Sequence, residues 1–246
     1  MRYEYKYIVP TFRLSQLRSM IIPFVEYDSF AKHNGGEYTV KSIYYDTPKM
    51  EMYHSKIDHL ANRLKVRVRG YNDFSEDALV FLEIKRKYEG PIVKNRAKVH
   101  FSDLLNYIDQ KDYAVFSNVK YRENIKRFIF QVYSNNLQTL VNVIYEREAF
   151  HSKIKDLQND CRITLDKNIR SVFLPQVENL FDDSNSTFVN PDFFVLEVKF
   201  NQYCPIWMKA ILMEMELVKE PASKYVMCIE NHHIPNAQKR FFNFHP

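Results

Sequence analysis

A chain of 246 residues can bury a compact core as one large domain or two small ones, and 46% hydrophobic with 26% charged residues excludes an extended disordered polymer. The net charge of +5 favours anionic partners without choosing among them. Cys161, Cys204 and Cys228 form no CxxC pair, and no apolar run reaches the roughly 18 residues of a membrane helix, so neither a disulfide framework nor a spanning segment is expected.

Tyr3 to Val9 alternates Glu4 and Lys6 with tyrosines and stops at Pro10, as a first strand would. Leu14, Leu17, Ile21 and Phe24 recur at helical spacing, with Pro23 ending or kinking that helix. After Asn34-Gly35-Gly36 a second strand is predicted over 38–45. Strand-like segments over 60–71, 79–87 and 91–101 follow as a meander, and apolar stripes predict helix between about 103 and 133. Strands over 140–150, 161–169 and 193–200, a helix opened by Pro205 and a last helix near 223–231 complete the reading. The fold class is α+β. Eight antiparallel strands with helices packed outside are about enough to close a barrel, here as one domain over 1–246.

The informative pattern is charge sorted by face. Arg63, Lys65, Arg67 and Arg69 alternate with Leu64, Val66 and Val68, and the same alternation carries Glu83, Lys85 and Lys87, then Lys94, Arg96 and Lys98, and finally Glu197 and Lys199. A strand sends successive side chains to opposite faces, so each segment has one apolar and one charged face. Such alternation is usual wherever an antiparallel sheet has one solvated face. Four cations in a row with no acid between them repel one another, however, unless an anion joins them. Arg grips phosphate through a planar fork and Lys acts as a compact point charge. Glu4, Glu83 and Glu197 each precede a lysine by two residues. These carboxylates suit Mg²⁺ or Mn²⁺, whose shells are completed by phosphate oxygens and water; the alternative for each is an ion pair with a neighbouring cation. The histidines form no zinc pattern, and no P-loop, Rossmann or nucleophile-elbow motif occurs.

Seven motifs in order, Glu4-x-Lys6, Ser42 to Thr47, Lys65 to Arg69, Phe81 to Lys85, Tyr145-Glu146-Arg147, Arg162 to Asp166 and Leu196 to Lys199, resemble the VTC domain, the polyphosphate polymerase branch of the triphosphate tunnel metalloenzymes. The resemblance implies a tunnel of eight antiparallel strands with a basic lumen, in which the γ-phosphoryl of ATP passes to a growing polyphosphate chain. Carried over by motif, Arg67, Arg69, Lys85, Arg147 and Lys199 would be catalytic. Lys6, Lys65, Lys87, Lys94, Arg96, Arg162 and Lys224 would bind phosphate, and Glu197, with Glu4 and Glu83, would hold the metal. The related CYTH enzymes begin with ExExK, whereas Arg2 stands at the first acidic position here, which disfavours cyclase or thiamine triphosphatase chemistry. An inorganic or nucleoside triphosphatase and a non-catalytic polyphosphate-binding module remain as alternatives. The expected partners are ATP or another nucleoside triphosphate and inorganic polyphosphate, with no nucleic acid, in the cytoplasm. Polymer translocation would need a separate membrane partner.

Overall fold

The computed structural model describes residues 2–89, 92–110, 119–154, 156 and 158–232. In chain order these form β1 (Arg2–Pro10), α1 (Leu14–Ile21), β2 (Val25–Tyr27), α2 (Ser29–His33), β3 (Glu37–Asp46), α3 (Glu51–Ile57), β4 (Arg63–Tyr71), β5 (Leu79–Lys87) and β6 (Ile92–His100). There follow α4 (Phe101–Gln110), α5 (Arg122–Ser134), β7 (Gln138–Ser152), β8 (Cys161–Phe173), β9 (Thr187–Phe188), β10 (Phe193–Asn201), α6 (Ile206–Glu214) and α7 (Lys224–Asn231).

Hydrogen bonding runs β1-β10-β8-β7-β3-β4-β5-β6, with β2 on β7 and β9 on β8. The path is open: among the described residues no pairing joins β6 to β1, and ten strands are present where eight were expected. The α+β, antiparallel character stands. Helix α1 stops before Pro23, which cannot continue it. Pro205 is the N-cap of α6 and not its first helical residue. The helical region expected over 103–133 contains α4 and α5, with residues 111–118 outside the described part, as are Gly90 and Pro91 of the turn before β6.

Two compact units divide the chain. The first gathers the described residues of 1–39, 145–170 and 188–223. Its core joins Val9 of β1, Leu17 and Ile21 of α1, Ile163 and Leu165 of β8, Leu196 and Val198 of β10 and Met208 of α6, all buried. Because β1, β10 and β8 are antiparallel neighbours, their apolar alternates share this face, and the intervening polar residues are left to share the other.

The second unit gathers the described residues of 40–144, 171–187 and 224–232. Here Ile43, Val66, Val68, Leu82, Ile84, Ala97 and Val99 of four successive strands pack with Phe101 and Leu104 of α4 and with Ile125 and Phe128 of α5. The helices thus cover the apolar face, and the charged alternates of β4, β5 and β6 lie opposite it. Among the described residues no helix is long and apolar enough to cross a membrane.

Candidate functional site

In the first unit the register sets two rows across three strands: Lys6–Glu197–Thr164 and Glu4–Lys199–Arg162. Side chains paired across strands lie on one face, and the contacts follow. Lys6 Nζ lies 3.1 Å from Glu4 Oε1 and 3.2 Å from Glu197 Oε1; Lys199 Nζ lies 3.0 Å from Glu197 Oε2 and 3.6 Å from Glu4 Oε2. Two carboxylates therefore share two ammonium groups, with Glu197 buried and Glu4 exposed. Burial, reinforced by Arg147, lowers the Lys199 pKa despite the two carboxylates that oppose it.

Arg147 of β7 is buried and donates from Nε and Nη2 to the two oxygens of Asp166 on β8, at 2.6 and 2.7 Å. Burial disfavours its charge, but Asp166 outweighs that and holds the guanidinium well above its ordinary pKa. Arg162 donates to Asp28 Oδ2 at 2.9 Å, and the other oxygen of Asp28 caps α2 through the Ala31 amide. Thr164, between Arg162 and Asp166 on the same face of β8, is buried, and its hydroxyl meets no hydrogen-bond partner among the described residues.

The second unit carries a cationic grid. On β4, Arg63, Lys65, Arg67 and Arg69 stand opposite Lys87, Lys85, Glu83 and Phe81 of β5, which stand opposite Ile92, Lys94, Arg96 and Lys98 of β6. Lys65, Lys85 and Lys94 are thus direct cross-strand neighbours, an unfavourable arrangement of like charges. Glu83 is the one acid in the grid. It accepts from Arg67 Nε at 2.7 Å and pairs with Lys94 and Arg96 at 3.2 Å. Burial would raise its pKa, yet Arg67, Arg69 and Lys94 hold it well below the carboxylate range. No acidic partner meets Arg63, Lys85, Lys87 or Lys98 among the described residues.

Strand β3 supplies hydroxyls to this grid. Ser42 accepts from Arg69 Nε at 3.0 Å and Tyr44 accepts from Arg67 Nη1 at 2.6 Å, each from its own register partner. Burial opposes ionisation of Tyr44, but Arg67, Arg69 and Lys224 lower its pKa below the ordinary value. Helix α7 is anchored here as well. Tyr225 packs its ring on Tyr44, lies under Lys65, and donates its hydroxyl to Asp46 Oδ2 at 2.5 Å. Asp46 also caps α3 through the Met52 and Tyr53 amides, both at 2.9 Å. Lys224, the first residue of α7, is buried beside this cluster.

The expected residues fall accordingly. Glu4, Lys6, Arg147, Arg162, Glu197 and Lys199 gather in the first unit, and Lys65, Arg67, Arg69, Glu83, Lys85, Lys87, Lys94, Arg96 and Lys224 in the second. All three glutamates are ion-paired. Asp166, Ser42 and Tyr44 lie within the sequence motifs, but their contacts become visible only with the strand register.

Solved structures share this arrangement of strands and helices. A candidate adenylate cyclase from Bacillus halodurans matches at 11% identity with a TM-score of 0.51, over 91% of this chain and 94% of its own. A candidate adenylyl cyclase from Hippeastrum, described as having a dominant triphosphatase activity, matches at 13% identity with a TM-score of 0.53, over 94% of this chain and 96% of its own. At these identities the likeness is one of fold. No curated protein sequence matches. Among protein families the VTC domain matches residues 1–233, nearly the whole chain, and the protein therefore belongs to the VTC domain family.

Proposed function

We propose that the protein is a metal-dependent polyphosphate polymerase, a single tunnel domain that transfers the γ-phosphoryl of ATP to a growing polyphosphate chain. The observation that carries this reading is the Lys65–Lys85–Lys94 row within the grid of β4, β5 and β6. Like charges face to face disfavour the ligand-free fold, by a modest amount because Lys85 and Lys94 are exposed and Lys94 is paired with Glu83, and a polyphosphate chain would relieve the repulsion with negative charge at regular intervals.

In the transfer, a terminal oxygen of the chain attacks the γ-phosphorus and the bond to the β–γ bridging oxygen breaks, releasing ADP. Little covalent help is needed, because catalysis consists of alignment and of meeting charge on the phosphoryl oxygens. Arg67, Arg69, Lys85, Arg147 and Lys199 take that part, and Lys6, Lys65, Lys87, Lys94, Arg96, Arg162 and Lys224 hold the remaining phosphates. Glu83 keeps Arg67, Lys94 and Arg96 in place.

The donor set of Glu4 and Glu197 fits a hard divalent ion such as Mn²⁺ or Mg²⁺. Their four oxygens are grouped around the ammonium groups of Lys6 and Lys199, which such an ion would displace, and two carboxylates with substrate oxygens are a common Mg²⁺ set. When bound, such an ion would neutralise phosphoryl oxygens.

A triphosphatase that admits water as acceptor is the second reading, favoured by the activity described for the Hippeastrum protein. Incubation with ATP and Mn²⁺ separates the two: ADP with long chains supports the polymerase, and ADP with orthophosphate and no chains overturns it. Glu197→Gln should abolish turnover while ATP still binds; a pure binding module would have no turnover to lose.

A further inference from the structure

The face that carries Glu197 is otherwise satisfied. Glu197 meets Lys6 and Lys199, Arg147 meets Asp166, and Arg162 meets Asp28. Thr164 is the exception on β8. It is 1% exposed, its hydroxyl meets no partner among the described residues, and it is the direct register partner of Glu197. Burying a hydroxyl without a partner disfavours folding, and valine would fill the same space with no such penalty. On this strand face the Thr164 hydroxyl is therefore the group that a bound ligand would complete, next to a carboxylate that two ammonium groups already hold.

We infer that Thr164 is an oxygen ligand of the divalent cation held by Glu197, a neutral donor that complements the two carboxylates. This rests on the metal reading above and extends it to a residue outside the expected set. Threonine suits the role because its hydroxyl oxygen is a hard donor and adds no charge. The hydroxyl sits on a strand, fixed by the β10–β8 register, so no loop movement is needed to present it.

The test uses Mn²⁺ alone as the probe, titrated calorimetrically into the metal-free full-length protein, with thermal unfolding measured in parallel. Thr164→Val should weaken Mn²⁺ binding about tenfold or more while raising the melting temperature of the metal-free protein by about 2–4 °C. Thr164→Ser, which keeps the hydroxyl, should bind Mn²⁺ as the wild type does. A structural threonine would give the thermal change without the binding change. Wild-type affinity in Thr164→Val therefore overturns the inference while leaving the metal site intact. Absence of Mn²⁺ binding by the wild type would overturn the metal reading itself. Should Thr164→Val fail to fold, Thr164→Ala carries the same binding comparison.

Discussion

Arg147 and Asp166 face each other through two parallel N–H···O bonds, and Asp166 has no exposed surface at all. The fork fixes the guanidinium in two directions at once, which a single contact could not do. Breaking such a pair from one side strands a buried charge. Asp166→Asn should cost about 3–5 kcal/mol, measured by urea unfolding at neutral pH. Wild-type stability in that variant would mean that Arg147 finds another anion in the folded state.

Glu83 makes acid stability testable. Its folded pKa lies below the unfolded one, so the stability from its ion pairs is complete above the ordinary glutamate pKa of about 4.3 and is lost as pH falls below it. Glu83→Gln should be less stable at pH 7 and should lose less on acidification than the wild type. Part of the acid limb should survive, because Glu148, held by Arg18 and Lys167, is depressed in the same direction. Melting curves between about pH 7 and 2 give both slopes; parallel slopes would refute the assignment.

Lys85 should show opposite signs in stability and binding. Replacing it with threonine relieves repulsion from Lys65 and Lys94, so the ligand-free protein should gain between about 0.2 and 1 kcal/mol. Affinity for inorganic tripolyphosphate should fall, with a shallower dependence on salt. A variant that loses both stability and affinity would contradict the charged-grid reading.

Gly70 of β4 has a steric reason. A Cβ there would lie 2.7 Å from two carbons of the Phe181 ring, and Phe181 is itself held through its carbonyl, which accepts from the buried Lys41 ammonium at 2.7 Å. Gly70→Ala should therefore destabilise by about 1–3 kcal/mol, as overpacking does. Thermal unfolding reads the effect, and an additional Phe181→Leu change should recover part of it.

The long strands were legible because each sorts charge from aliphatics with period two, as in Lys65-Val66-Arg67-Val68-Arg69. Segments β4, β5, β6 and β10 accordingly sit within a few residues of their expected spans. Short elements were not legible. Helices α2 and α3 begin where Asp28 and Asp46 accept amide protons, and those two carboxylates are also tied to Arg162 and Tyr225, far away in sequence. The cations of the site were visible in the alternation. The residues facing them were not, since Tyr44 differs from any core tyrosine only in standing opposite Arg67, and Thr164, which meets no cation, is singled out only by standing opposite Glu197.

Tyr225 reaches Asp46 across 179 positions of chain, and the unit they share is assembled from stretches on either side of the other unit's strands. A nascent polypeptide released only as far as β10 has made the cationic grid but lacks the helix that packs against Tyr44. Completion of this half must then follow synthesis of α7. Contacts so distant along the chain slow folding, and until α7 arrives Lys65 and Tyr44 lack the Tyr225 ring that packs on them in the finished fold.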